Sequence, residues 1–146
     1  MKADFFFSFQ QHWRHAPLAY WVHVPVPHQP DNWAPPAPPL VPHKGYVFLH
    51  VVFEKHELVF SSPAQLDHFI RTLSAKPLPT TRHLSALRGT ELGPNSHWLS
   101  RLPASLKAPR KRVMLVEYMQ EIRSLTVNAD TPLQFEWKNQ NALPMK

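Results

Sequence analysis

A chain of 146 residues, 43% of them hydrophobic and 18% charged, suffices for one domain with its own core and describes a globular chain rather than a disordered one. Without cysteine there is neither a disulfide framework nor a thiolate metal site, and the longest apolar stretch, Tyr46 to Phe53, is far short of the roughly 20 residues of a membrane helix. The formal charge of +6 is confined to one stretch: residues 71–112 hold nine basic residues against Glu91 alone, a net +8, whereas the remainder carries seven basic and nine acidic residues.

The amino terminus, Met1 to Gln11, breaks its apolar run with polar residues and has no small-residue cleavage pattern. It predicts no signal peptide, and with the absence of cysteine it points to the cytoplasm. Residues 1–61 read mainly as strands. Asp4 to Phe9 is short and aromatic; Tyr20 to Val26 alternates Tyr20, Val22, Val24 and Val26 with Trp21, His23 and Pro25, the period of a half-buried strand. Between residues 27 and 44 proline dominates, with Pro35-Pro36-Ala37-Pro38-Pro39 at its centre, which predicts a stiff extended loop anchored by Trp33. After Gly45, the residues Tyr46 to Phe53 are apolar on both faces, so a central strand is expected there, followed by a hairpin through Glu54-Lys55-His56-Glu57 into Leu58-Val59-Phe60.

Residues 62–125 read as helical and basic. Ser62-Pro63-Ala64-Gln65 combines an N-cap, proline at the first helical position and a capping-box glutamine. Leu66, Phe69, Ile70 and Leu73 then supply one apolar stripe. Thr81 can cap a short helix closed by Gly89, and Asn95 or Ser96 another carrying Trp98, Leu99 and Leu102. A longer helix starts near Pro109, with Leu115, Tyr118, Met119 and Ile122 on its buried face. In the tail, residues 126–146, the alternation of Leu133, Phe135 and Trp137 can supply a last strand. The fold class predicted is one α+β domain, residues 1–146: a small antiparallel sheet of about four to five mostly N-terminal strands, packed against the capped helix and followed by a C-terminal helical segment.

Three features could carry chemistry. The stretch from Thr80 to Leu102 resembles in part a helix-turn-helix DNA-binding unit, with Leu84, Ser85 and Gly89 at the motif's core, small-residue and turn positions. Its second helix would present Asn95, Ser96, His97, Ser100 and Arg101 outward. Gly89 to Pro94 is longer than the usual turn of about three or four residues.

The second feature is Lys107-Ala108-Pro109-Arg110-Lys111-Arg112. Cations at a helix start oppose the helix dipole, and a phosphate would compensate them; so would a nearby acidic side chain. The third is the set of seven histidines within the first 56 residues, whose spacing shows no convergence on a metal. No catalytic motif, cofactor motif or metal site is expected, and the chain reads as a non-enzyme.

The leading expectation is therefore a nucleic-acid-binding protein, DNA ahead of RNA, with no membrane partner. Arg82, Arg88, Lys107, Arg110, Lys111 and Arg112 would hold phosphates, and Asn95, His97 and Arg101 would approach base edges. The alternative is an interaction module that binds an acidic protein through the same surface. A third reading is a nuclease assembled from His97, Arg101 and a serine or threonine.

Overall fold

Phe5, Phe7 and Phe9 alternate along the first strand, β1 (Phe5–Gln10), and stand opposite Val51, Leu49 and Val47 of β4 (Tyr46–Phe53) in an antiparallel ladder. These six apolar residues share the inner face of a three-stranded sheet. β5 (His56–Phe60) pairs with the other side of β4, joined through a two-residue turn in which Glu54 takes φ 58°, and Leu58 and Phe60 extend the same face. β4 is thus the central strand, which is why both of its faces are apolar. The computed structural model describes residues 4–75, 78, 98–127 and 137.

Two helices cover the inner face. In α2 (Pro63–Ser74) the Ser62 hydroxyl accepts from the Gln65 amide at 3.3 Å, the cap that the sequence predicts. The Gln65 carboxamide reaches one residue further back than a capping box requires, accepting from the Ser61 N–H at 2.9 Å and donating to the Ser61 hydroxyl at 2.7 Å. Leu66, Phe69, Ile70 and Leu73 are buried, as expected. The long C-terminal helix runs from Pro109 to Thr126 and buries Leu115, Tyr118, Met119 and Ile122 against α2 and the sheet. Two short helices precede it, α3 (Trp98–Arg101) and α4 (Ala104–Lys107), so the long helix is α5.

α5 is tied to the sheet by one phenol. Tyr118 donates to the Val52 carbonyl at 2.8 Å and accepts from the Asp4 amide at 2.7 Å, and burial pushes its pKa up, so it remains a neutral donor. Arg123 pairs with Asp67 to join α5 to α2.

The opposite face of the sheet departs from expectation. Tyr20 to Val26 is not one strand: Ala19–Val22 forms a helical turn, α1, and only Val24–Pro25 is extended, as β2. Ala19 and His23 are the buried positions, four apart, whereas Tyr20 and Val24 are exposed, so burial follows the helical spacing and not the valine alternation. β2 pairs with β3 (Trp33–Ala34) in a separate two-stranded ladder. The five strands therefore form sheets of three and two, and not a single sheet of four to five. Pro25 and the prolines after Ala34 have no N–H to offer a wider ladder.

A 3-10 turn, Trp13–His15, and α1 lie over this face, where Trp13, Ala16 and Ala19 pack on Phe48. Trp33 anchors the proline-rich loop there, edge-on to Trp13 at 5.3 Å. The predicted last strand falls mostly outside the described residues; Trp137 is within them, bridges Val127 and lies against Phe7 at 5.9 Å.

Gly45 closes the turn that returns the chain to β4, with φ 113°, and a Cβ there would stand 2.5 Å from the Gln10 carbonyl oxygen. Backbone on both sides prevents relief. Gly45→Ala is expected to cost about 1–3 kcal/mol, read as a lowered urea midpoint with unchanged slope.

Candidate functional site

The basic stretch was expected to act through short helix starts. Arg82, Arg88, Asn95 and His97, with the helix-turn-helix positions Leu84, Ser85 and Gly89, lie outside the described residues. Of the second helix the structure describes α3, where Trp98 and Leu99 are buried, as is Leu102 just after it, and Arg101 is exposed; this is the inward and outward phase that the sequence predicts. Trp98 fixes α3 to α2, donating its indole N–H to His68 Nε2 at 3.2 Å and lying over Phe69 at 5.2 Å.

Lys107 turns back on the chain, its ammonium donating to the Leu99 carbonyl at 3.3 Å near the end of α3, where the helix dipole is negative. The start of α5 has Ala108 as its cap, which offers no side-chain acceptor, and no acidic residue in the first turn. The first intrahelical bond runs from the Arg112 amide to the Ala108 carbonyl at 2.8 Å, so the Arg110 and Lys111 amides have no acceptor within the helix.

Successive helical residues point about 100° apart, so Arg110, Lys111 and Arg112 fan around the axis rather than share a face. Lys111 meets Glu54 of the β4–β5 turn at 2.5 Å. That carboxylate is the acidic partner the sequence left open, 57 positions away. Among the described residues no carboxylate lies within ion-pair distance of Arg101, Arg110 or Arg112.

Two serine–histidine contacts were not foreseen. His23 is fully buried, and because the Pro35 carbonyl at 2.9 Å can only accept, its proton sits on Nδ1. Nε2 then accepts from the Ser62 hydroxyl at 2.9 Å. Both side chains are sealed from solvent, and Ser62 is already the helix cap, so this pair holds structure.

On the outer face of the sheet, Ser8 lies 2.7 Å from His50 Nε2, and the Glu57 carboxylate lies 3.6 Å from His50 Nδ1, a buried nitrogen with no hydrogen bond. The order is that of a hydrolase relay, but the second distance is beyond hydrogen-bond range. Phe6 lies flat on the imidazole at 4.5 Å. Among the described residues no three histidine, aspartate or glutamate side chains converge as a metal site would require, and no helix is long and apolar enough to cross a membrane.

A groove of about 370 Å³ follows β5, lined by four consecutive residues from Glu57 to Phe60 together with Leu18, Trp98 and Leu102. Its rim carries His15 and Arg101. No sequence signal marks it, because its lining comes from four separate segments. No family model, curated protein or solved structure matches this chain.

The His23 contacts make stability depend on pH. Desolvation by burial lowers the His23 pKa, and the bond to Pro35 offsets this in part. The unfolded chain therefore binds the proton more readily, so the contribution is complete above the ordinary histidine value of 6.5 and is lost as pH falls from there through the folded value. His23→Phe is expected to flatten the difference in unfolding free energy between pH 7.5 and pH 5, and to cost about 1–3 kcal/mol at the higher pH by leaving the Pro35 carbonyl unpaired.

Proposed function

We propose that this chain is a non-enzymatic, cytoplasmic nucleic-acid-binding protein that takes DNA in preference to RNA through residues 80–112. The observation that carries this reading is the start of α5, a helix end with no side-chain cap and no acid, bearing Arg110 and Arg112 without carboxylate partners among the described residues. Free helix-start amides and guanidinium groups together suit a phosphate. In this reading Arg110 and Arg112, which point to different sides of the helix, hold separate phosphates, Lys111 exchanges Glu54 for one of them, and Lys107, Arg82 and Arg88 hold neighbouring phosphates along the backbone. Asn95, His97 and Arg101 then approach base edges.

An interaction module for another protein is the second reading, and the groove along β5 favours it; Arg101 belongs to both surfaces. The tests separate the two.

Fluorescence anisotropy with a duplex of about 20 base pairs should show binding that weakens steeply with salt, with a logarithmic slope of about −4 if some four or five phosphates are neutralised. The double variant Arg110→Glu, Arg112→Glu should lose at least about tenfold in affinity with a melting temperature that does not fall, since acids suit a helix start. Glu54→Gln, which frees Lys111, should gain affinity. No binding at low salt would end the proposal.

A further inference from the structure

A sheet edge exposes hydrogen-bonding groups that must be covered, blunted or used. β4 divides its alternate residues between two neighbours: the Val52 amide bonds the Asp4 carbonyl at 2.9 Å on the β1 side, so Leu49, Val51 and Phe53 turn their backbone groups toward β5, opposite Phe60, Leu58 and His56. Glu57 and Val59 consequently aim their N–H and C=O groups away from the sheet. Among the described residues neither has a backbone partner.

The groove lies along this edge. Glu57 and Val59 belong to the outer face and Leu58 and Phe60 to the inner one, and a single groove can touch all four only by following the strand's side. Leu18, Trp98 and Leu102 add apolar lining beside the strand. Two donor and acceptor pairs two residues apart, about 7 Å, match the repeat of an extended polypeptide. A phosphodiester backbone has acceptors and no N–H donors at that spacing. Arg101 at the rim, without a carboxylate partner among the described residues, adds a cation to one side.

We propose that the edge of β5 is a strand-addition site for an extended segment of another protein. The segment carries apolar side chains at alternate positions and an acidic residue that meets Arg101. Backbone bonds to Glu57 and Val59 provide the attachment, and the apolar lining with Arg101 provides the selectivity.

The test uses the full chain and a library of randomised octapeptides, with amide hydrogen exchange read residue by residue. In the free protein the Glu57 and Val59 amides should exchange quickly, and selected peptides should slow both at least about tenfold. Val59→Pro removes the outward N–H at a position where an edge strand tolerates proline, and should weaken peptide binding at least about tenfold. Should that variant not fold, N-methylation of the peptide's edge-facing amides on the unaltered protein gives the same reading. Arg101→Glu should shift the selected peptides from acidic to basic residues at one end.

Slow exchange at Glu57 and Val59 in the free monomer would overturn the proposal, since the edge would already be occupied. So would self-association that Val59→Pro abolishes, which would make a second copy the occupant. Failure to select any peptide, or peptides indifferent to both backbone changes, would also overturn it. Loss of DNA binding in the Arg110→Glu, Arg112→Glu variant leaves these outcomes unaffected, because neither residue lines the groove.

Discussion

His23 has no contact with solvent, and both of its ring nitrogens are engaged, one with the Pro35 carbonyl and the other with the Ser62 hydroxyl. A buried imidazole costs several kcal/mol unless it is satisfied in this way, so the end of α1, the proline-rich loop and the start of α2 must meet at one point. The network then continues. Ser62 caps α2, Gln65 holds Ser61, and Ser61 donates to the Trp13 carbonyl at 2.8 Å. Trp13 in turn lies edge-on to His23 at 5.0 Å and packs on Phe48 at the outer face of the sheet. One polar cluster thus fixes the helix on one side of the sheet and the N-terminal layer on the other. Two apolar faces could slide over a sheet of three strands; hydrogen bonds of fixed direction prevent it.

The charge is organised around the hairpin formed by β4 and β5. Glu54 sits at its tip in a left-handed conformation and meets Lys111, so the first turn of α5 gives up one of its three cations to the sheet. Both partners are about one third to one half exposed, at 35% and 44%, and a pair in that setting is worth no more than about 1 kcal/mol. It offsets part of the dipole penalty of a basic helix start, which is about 0.3–1 kcal/mol for each cation. Arg110 and Arg112 are left without such an offset among the described residues.

Local rules made some elements legible and hid others. The Ser62 cap, the Leu66 to Leu73 stripe and the buried face of α5 depend on neighbours within one or two turns, and each lies where the sequence puts it. β4 was readable as central because a strand covered on both sides needs apolar residues on both. At Tyr20 to Val26 the alternation of Tyr20, Val22, Val24 and Val26 imitates a strand by residue type alone. Tyr20 and Val24 are exposed, and the residue that decides the local conformation is His23, whose partners stand 12 and 39 positions away. The same distance hid Glu54 from Lys111. The groove was hidden more completely, since it is made of backbone direction along β5, which no side chain spells out.

The energetics of the Glu54–Lys111 pair bear on how a basic helix start could serve both folding and binding. A phosphate at the α5 terminus would compete with a single half-exposed carboxylate for Lys111, while gaining the Arg110 and Lys111 amides, which have no acceptor within the helix, as further donors. Hydrogen bonds between charged groups contribute about 1.5–3 kcal/mol each, more than the exposed pair they would displace. The exchange would therefore favour the ligand without loosening α5, because Tyr118 and the buried stripe from Leu115 to Ile122 hold the helix to the sheet independently of its first turn. A helix start anchored by its middle can present cations at low cost.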